Sequence, residues 1–394
     1  MSEWSFQKGM SVQPFVHSLL AQAAEMGASD IHIEPLDRNV RVRFRIDGIL
    51  QTIGHLETTF LSPVSARIKV MSHMDIANTR LPMDGRCVWK GKNHMLDVRV
   101  STMPTVRGEK IVLRLFADHQ PFHLDELIPY EPSRQLLRRI VRGSQGLFLI
   151  CGPTGSGKTT TLYALLRELD SPEISIATLE DPVELRVNGF CQSQIHEKGG
   201  LAFQNGLRAL LRQDPDILVI GEIRDAQTAG IALQAALTGH RVFSTLHTAR
   251  AVDVPLRLLD MGLEPFLVAE ALSGMASQRL ARYRTEDGYR GRFCLCEVVR
   301  SGPSMRQAVQ KREERKKLLE AASKDKAVFM NECIRHALRE QLTDEKEIHR
   351  IYEEEGDDVD CGCHCVCRNK TGNGYTRAGG MPGDAAHRDG TDSL

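Results

Sequence analysis

A glycine-rich segment, GPTGSGKTT at residues 152–160, narrows the possible folds of this chain more than any other stretch. It matches the pattern G-x-x-x-x-G-K-[ST], with Gly152, Gly157, Lys158 and Thr159 at the fixed positions. The apolar run LFLIC before it predicts a buried strand, and LYALLREL after it predicts a helix. A glycine-rich turn that matched by chance would not require this strand and this helix. The segment therefore predicts a site for a nucleoside triphosphate.

The residue types in this segment suit the binding of phosphate. Glycines allow backbone N–H groups to close around a β-phosphate, and a helix N-terminus directs partial positive charge at the same anion. Lys158 would reach the β- and γ-phosphates, and the Thr159 hydroxyl would coordinate Mg²⁺. The predicted nucleotide contacts are Gly152, Pro153, Thr154, Gly155, Ser156, Gly157, Lys158, Thr159 and Thr160.

The composition of the 394 residues argues against several classes of protein. The length allows two or three domains. Lys+Arg and Asp+Glu both total 51 and aromatic residues make up 5%, which disfavours a surface that wraps or stacks nucleic acid. No apolar run approaches 18 residues and the first residues lack a secretory signal, so neither a membrane span nor a leader is predicted. Most cysteines are scattered through apolar segments, as reduced cytosolic thiols are.

Changes in pattern along the chain predict five regions. Residues 1–116 combine helical patterns at 12–26 and 62–73 with alternating strands, which predicts a small α+β domain. Residues 117–133 contain three prolines and predict a linker. The remaining regions are a P-loop core at 134–300, a charge-rich helical region at 301–355 and a tail predicted to be disordered at 356–394.

The predicted strands of the core end in acids or in a histidine. Strand patterns at 173–181, 215–222 and 241–248 alternate with helical patterns at 200–212 and 226–239. This alternation predicts an α/β fold with a mostly parallel sheet and helices on both faces. Ligands bind at the carboxyl ends of the strands in such sheets. We therefore expect the glycine-rich segment to share one rim with Glu180, Asp181, Glu222 and His247.

The segment ILVIGE, residues 217–222, has the form of a Walker B strand. A carboxylate at its end can polarise an attacking water, and Glu222 is the residue expected in that role. Gly221 occupies the place where an Asp often holds the metal, so Mg²⁺ is expected to depend on Thr159, on water and on more distant acids. In the alternative interpretation, Glu222 only caps the strand or pairs with Arg224.

Two further segments add groups to the same rim. TLEDPVE, residues 178–184, places acids beside the metal-bound triphosphate, where they would hold Mg²⁺ through water or orient the nucleophile. By itself this segment would predict only a turn that begins at Asp-Pro. His247 would contact the γ-phosphate or relay its presence, although a lone strand histidine is commonly a hydrogen-bonded core or surface residue. The predicted catalytic residues are Glu222, Glu180 and His247, and the predicted metal ligands are Thr159, Asp181 and Glu184.

Arginines are concentrated in the strands of residues 1–116. In VRVRFRI, Arg41, Arg43 and Arg45 fall on one face because successive strand side chains alternate. For any single arginine, a solvated strand face is the simpler interpretation. As a group they suit a surface that meets triphosphate or acidic neighbours, because guanidinium forks pair bidentately with such oxygens. The other members of the group are Arg80, Arg86, Arg99, Arg107 and Arg114.

Four segments in order resemble the Walker A, Asp box, Walker B and His box of the secretion and type IV pilus ATPase superfamily: GPTGSGKTT, TLEDPVE, LRQDPDILVIGEIRDAQTA and TGHRVFSTLHT. ASDIHIEP, VRFRIDG, RLPMDGR and RVSTMPTVRGEKIVLRL resemble its assembly branch, the type II secretion and pilus-extension ATPases, more than the retraction ATPases. The resemblance spans residues 12–300. It implies a RecA-like P-loop NTPase domain preceded by a smaller α+β, PAS-like domain.

The resemblance also implies an activity and partners. It implies a cytoplasmic homo-hexamer that hydrolyses ATP with Mg²⁺ at the inner face of the cell membrane. The N-terminal domain would pack on the neighbouring ATPase domain. ATP turnover would drive an inner-membrane platform protein that adds pilin subunits to a pilus or pseudopilus, with an acidic phospholipid surface as a further partner and no direct contact with nucleic acid. The arginines that would help to sense nucleotide are Arg80, Arg86, Arg99 and Arg114.

Two departures separate the sequence from larger members of that superfamily. Because family-like sequence begins near residue 12, the extra N-terminal domain of many assembly ATPases is not expected, and SQRLARYRTEDGYRGRFCLCEVV crosses the place of the usual four-cysteine zinc module. A compact, zinc-less member is similar to the competence ATPase of Gram-positive bacteria. A pseudopilus for DNA uptake, or for type II secretion, is therefore expected. The alternatives are a retraction ATPase, a helicase-like nucleic-acid motor and a nucleotide-binding scaffold without effective turnover.

A cysteine-rich segment, CGCHCVC at residues 361–367, stands near the C-terminus. Its thiols and His364 suit a soft metal ion such as Zn²⁺ or Cu(I). The Cys-x-Cys spacing is too tight for a closed structural zinc loop, so the favoured interpretation is an unstructured or aberrant C-terminus.

Overall fold

Two seven-stranded sheets form the framework of the described part of the chain. The predicted tail, with its cysteine-rich segment at 361–367, lies outside the described part. The computed structural model describes residues 4–5, 11–91, 95–117, 123–143 and 145–353.

The first sheet is built from the N-terminal residues. Its strands are β1 (Trp4–Ser5), β2 (Ala28–Pro35), β3 (Val40–Ile46), β4 (Ile49–Leu56), β5 (Met83–Lys90), β6 (Met95–Thr105) and β7 (Gly108–Ala117), and its helices are α1 (Val12–Glu25) and α2 (Leu61–Met71). The strand order is β1-β4-β3-β2-β7-β6-β5, with β1 parallel to β4 and the other neighbours antiparallel. Alternation along β2 buries Ile31 and Ile33 against the helices and leaves Asp30 and Glu34 on the opposite face.

The second sheet surrounds the glycine-rich segment. Its strands are β8 (Gly146–Cys151), β9 (Ile176–Glu180), β10 (Cys191–Gln194), β11 (Ile217–Ile220), β12 (Arg241–Leu246), β13 (Leu272–Thr285) and β14 (Gly288–Arg300). The order is β10-β9-β11-β12-β8-β13-β14, and only the β13–β14 pairing is antiparallel among these described strands. This arrangement confirms the predicted α/β fold with a mostly parallel sheet.

Helices cover both faces of the second sheet, as predicted. They are α3 (Leu124–Leu127), α4 (Glu131–Val141), α5 (Lys158–Arg167), α6 (Phe203–Leu210), α7 (Ala226–Leu237), α8 (Asp253–Asp260), α9 (Pro265–Ala271), α10 (Pro303–Gln310), α11 (Arg315–Lys324), α12 (Met330–Arg339) and α13 (Glu345–Glu353). The side chains of β8 alternate between the apolar cores on the two faces of the sheet. Leu147 and Leu149 pack with α7 to α11, whereas Phe148 and Ile150 pack with α3, α4, α5, α12 and α13. A strand buried on both faces must be apolar throughout, which explains the unbroken run before the glycines.

The span predicted as a linker contains secondary structure. Helix α3 and the first residues of α4 fall within 117–133, and Leu124 and Ile128 are buried in the core beside α5. The prolines that suggested a linker include Pro132 at the start of α4, a position where a helix tolerates the missing N–H. Among the described residues, no helix has the length and apolar character needed to cross a membrane.

A buried carboxylate fastens α13 to β13. Glu347 is fully buried and accepts hydrogen bonds from Arg282 Nε at 3.0 Å, from Arg350 Nε at 2.9 Å and from the Arg282 backbone N–H at 3.1 Å. Burial alone would raise the pKa of Glu347, but the hydrogen bonds from Arg350 and Arg282 outweigh it and lower the pKa to about 2. The carboxylate is therefore held in its charged form.

Replacing Glu347 with Gln is expected to lower the free energy of unfolding of the region built on the second sheet by about 3 kcal/mol, because two arginines lose a buried counter-charge. The folded-state pKa of about 2 lies below the ordinary 4.5, so this stabilisation is present above pH 4.5 and is lost as the pH falls towards 2. Urea unfolding followed by circular dichroism at several pH values measures both effects. Glu345→Gln on the exposed side of the same helix is the control, and an equal loss in that variant would contradict the prediction.

Candidate nucleotide site

The glycine-rich segment forms a tight loop between β8 and α5. Gly152 has φ 142°, and a Cβ there would lie 2.6 Å from the Gln278 backbone oxygen. Gly157 has φ 82° and immediately precedes α5, which begins at Lys158. Both positions require glycine because other residues rarely adopt this conformation. The loop therefore presents its backbone at a helix N-terminus, which is the arrangement that fits a phosphate group.

Lys158 lies against this loop. Its side chain is largely buried, and Nζ donates to the carbonyl oxygens of Gly152 and Pro153, each at 2.8 Å. Burial lowers the pKa of the Lys158 ammonium, while the charges of Glu222 and Glu184 are among those that raise it. The carboxylates of Glu222 and Glu184 therefore lie near enough to Lys158 to influence its pKa.

Two adjacent polar residues of β13, Gln278 and Arg279, support the glycine-rich loop. Gln278 is fully buried, and its Nε2 donates to the Ser156 carbonyl at 2.6 Å. Arg279 donates from Nη1 to the Gln278 carbonyl at 3.1 Å and from Nη2 to the Ala249 carbonyl at 3.0 Å. These contacts join the phosphate loop to the segment that follows His247. Neither residue was predicted to belong to the site, although a polar pair inside the apolar strand pattern GMASQRLA was a usable signal.

Glu222 follows β11 at the rim and lies between two basic groups. It forms a close ion pair with Arg224, and its Oε2 is 3.3 Å from His247 Nε2. Arg224 also approaches Asp181, with 3.9 Å between Nη1 and Oδ2. Glu222 thus makes the pairing with Arg224 that the alternative interpretation expected, and it also lies beside His247.

Gly221 has a steric reason to lack a side chain. A Cβ at this position would lie 3.3 Å from the Glu180 Cα and 3.4 Å from the Leu179 carbonyl oxygen. An aspartate here would therefore press against β9. The departure from the usual Walker B pattern follows from the close packing of β9 and β11.

The three acids of the TLEDPVE segment occupy different environments. Glu180 is buried, and its Oε1 accepts from Tyr163 Oη at 2.5 Å, from Thr178 Oγ1 at 2.7 Å and from Gln192 Nε2 at 3.2 Å. Asp181 and Glu184 are exposed on the loop that follows. Glu180, predicted to be catalytic, is therefore directed inward against α5, whereas the predicted metal ligands Asp181 and Glu184 face solvent.

Oxygen donors suited to Mg²⁺ lie on the described elements. Thr159 is in the first turn of α5, beside the phosphate loop, and Asp181 and Glu184 lie on the loop after β9. Hydroxyl and carboxylate oxygens fit Mg²⁺, which is held by one or two protein groups together with phosphate oxygens and water. The described residues contain no cluster of three or more His, Cys, Asp or Glu side chains able to hold a metal ion.

The predicted arginines lie mostly in ion pairs on the sheet of the N-terminal domain. One lateral row crosses five strands through Arg45, Asp30, Arg114, Arg99 and Arg86. Asp30 forms ion pairs with two of these arginines. Its Oδ1 lies 3.0 Å from Arg114 Nε, and its Oδ2 lies 3.6 Å from Arg45 Nε. The Arg99 guanidinium stacks over the Phe116 ring of the same sheet. Its Nη2 donates a hydrogen bond to the Val183 carbonyl, on the loop that follows β9, at 2.9 Å.

The remaining arginines are placed nearby. Arg41 and Arg43 both pair with Glu34, at 3.0 and 2.8 Å. Arg86 forms a close ion pair with Asp97, Arg107 with Asp37, and Arg80 is exposed.

Sequence comparisons identify relatives of the chain. The family described as Type II/IV secretion system protein matches residues 6–350. The chain is 46% identical over 269 residues to the type II secretion system ATPase E of Vibrio cholerae, which covers 68% of this chain and 53% of that protein. It is 43% identical over 294 residues to the type II secretion system protein E of Pseudomonas aeruginosa, which covers 73% of this chain and 58% of that protein. The chain thus spans about half the length of these curated relatives.

Solved structures share the fold at lower identity. The ATPase DotB of Legionella pneumophila superposes with a TM-score of 0.72 and 21% identity, covering 90% of this chain and 99% of that one. The pilus retraction motor PilT superposes with a TM-score of 0.58 and 24% identity, covering 85% and 99%. At these identities the likeness concerns the fold alone. Because the family matches almost the whole described chain and the curated relatives exceed 40% identity, the protein belongs to the Type II/IV secretion system protein family.

Proposed function

We propose that this chain is an ATP-hydrolysing motor of a secretion or pilus-assembly apparatus. The observation that carries the proposal is the convergence of the phosphate loop, Lys158 and the paired Glu222–His247 at one rim of a parallel sheet. Such a rim binds a triphosphate and places a carboxylate where water can be activated.

Each residue has a specific task in this proposal. Lys158 and the loop backbone bind the β- and γ-phosphates, and Glu222 orients and deprotonates the attacking water. His247, hydrogen-bonded to Glu222, holds that carboxylate at the rim and would contact the γ-phosphate. Thr159, Asp181 and Glu184 would hold Mg²⁺, which neutralises charge on the phosphates when bound. The ion pair with Arg224 competes for Glu222, so Arg224 must release it for catalysis.

The N-terminal domain would complete the site in a homo-hexamer. Support comes from its supply of guanidinium groups and from the Arg99 contact with the loop that follows β9. Arginine forks bind phosphate oxygens bidentately, so a change of ion-pair partner would accompany nucleotide binding. The residues assigned to nucleotide sensing are Arg80, Arg86, Arg99 and Arg114.

We place type II secretion before DNA uptake as the cellular role, because both curated relatives described above are named as type II secretion proteins. The partners in this role are an inner-membrane platform protein and an acidic phospholipid surface. The location is then cytoplasmic, at the inner face of the membrane. Assembly of a competence pseudopilus remains the second candidate.

Steady-state hydrolysis by purified protein tests the proposal. We expect Mg²⁺-dependent ATP turnover in hexameric fractions and further stimulation by vesicles that contain acidic phospholipid. Full activity in monomers would contradict the hexamer. Stimulation by single-stranded DNA with a steep salt dependence would favour a nucleic-acid motor instead. A protein that binds ATP without turnover would be a regulatory scaffold.

A further inference from the structure

Tyr163 joins the phosphate-binding helix to the strand beside it. It lies on α5, five residues after Lys158, and is almost fully buried. Its ring stacks on Phe190 with centroids 6.0 Å apart, and its hydroxyl donates to Glu180 Oε1 at 2.5 Å. Burial, together with the charge of Glu180, raises the pKa of Tyr163, so the hydroxyl keeps its proton as a donor.

Gln192 extends this contact to the loop between β9 and β10. Its Nε2 donates to Tyr163 Oη at 2.9 Å, to Glu180 Oε1 at 3.2 Å and to the Leu185 carbonyl at 2.8 Å. Its Oε1 accepts from the Val187 N–H at 2.8 Å. One side chain therefore ties the loop backbone to the Tyr163–Glu180 pair.

The same loop is contacted by the N-terminal domain. Val183 receives the Arg99 hydrogen bond, and Asp181 and Glu184 flank it. A buried carboxylate that loses a donor carries an unmet desolvation cost of about 1–3 kcal/mol. If α5 shifts, we therefore expect Glu180 and Gln192 to move with Tyr163. The loop between β9 and β10 should then move with Gln192, because Gln192 is hydrogen-bonded to its backbone.

We propose that Tyr163, Glu180 and Gln192 are positioning residues that transmit the occupancy of the phosphate loop, through α5 and residues 181–187, to Arg99 of the N-terminal domain. This inference rests on the proposed nucleotide site. It gives Glu180 a task that suits its burial, since its Oε1 accepts hydrogen bonds from side chains of α5, β9 and β10.

Tyr163→Phe tests the network, because it keeps the ring and its stacking and removes the hydroxyl. Tyr289→Phe is the matched control, since it removes a tyrosine–carboxylate hydrogen bond of 2.7 Å to Asp344, on the hairpin beside α13. The measurements are the dissociation constant of a non-hydrolysable ATP analogue, kcat and KM for ATP, and hydrogen exchange of a peptide covering 181–190 with and without the analogue.

In wild type and Tyr289→Phe, the analogue should change exchange in the 181–190 peptide. In Tyr163→Phe, we expect that response to be lost, kcat to fall about tenfold and the dissociation constant to stay within about threefold. Gln192→Met removes the amide that joins the loop to Tyr163 and Glu180, so the response should be lost in this variant as well.

An undiminished response in Tyr163→Phe and Gln192→Met would overturn the inference. It would also be overturned if wild type bound the analogue and the 181–190 peptide did not respond. Wild-type protein that binds no analogue would overturn both this inference and the proposed function, and the binding measurement distinguishes that failure from the other two.

Discussion

Replacing Glu222 with Gln is expected to lower kcat for ATP hydrolysis at least about 100-fold, because the amide cannot accept a proton from the attacking water. The affinity for ATP should change little, since Lys158 and the loop backbone are untouched. Steady-state hydrolysis measures the first effect, and equilibrium binding of a fluorescent ATP analogue measures the second.

The ion pair between Glu222 and Arg224 makes a second variant necessary. Arg224→Gln removes the same pair and leaves the carboxylate in place. If catalysis depends on the carboxylate, this variant should keep most of its activity or exceed wild type, because Glu222 is released. Equal losses in Glu222→Gln and Arg224→Gln would show that the pair, and not the base, matters, and would contradict the proposed role of Glu222.

Lys158→Ala is expected to weaken ATP binding about 100-fold and to abolish measurable turnover. The buried ammonium lies at the phosphate loop, and removing one partner of a desolvated charged contact costs about 2–5 kcal/mol. Isothermal titration with an ATP analogue measures the loss of affinity.

A control separates this effect from misfolding. Lys346→Ala changes an exposed lysine on α13 and should bind the analogue as wild type does. Both variants should melt within a few degrees of wild type when no nucleotide is added. Near wild-type affinity in Lys158→Ala would place the nucleotide elsewhere in the molecule.

The sequence predicted the parts of the fold that local chemistry determines. The apolar run of β8, the glycines and α5 are contiguous, so their pattern identified the phosphate loop directly. The carboxyl ends of parallel strands meet at one edge of a sheet, so Glu222 and His247 were predicted to share a rim. In the structure, Glu222 Oε2 lies 3.3 Å from His247 Nε2. Their chemical roles remain predictions for the variants above.

Other features depend on contacts between distant segments, which periodicity does not encode. Gln278 supports a loop more than 100 residues earlier in the chain, and Arg99 reaches a loop 84 residues later. Glu180 and Asp181 are adjacent in sequence, yet Glu180 is buried as the last residue of β9 and Asp181 is exposed on the loop that follows the strand. Each of these outcomes depends on how the chain is packed in three dimensions, and the local pattern of residue types does not reveal it.

The β13–β14 hairpin has a mechanical consequence. Its Gln278 supports the phosphate loop, while Arg292 on the opposite strand lies 3.4 Å from Asp47 of the N-terminal domain. Gln278 and Arg282, the strand partner of Arg292, are four residue steps apart along β13, a length of roughly 14 Å. A paired ribbon resists stretching, so it acts as a strut of constant length between the nucleotide pocket and that domain.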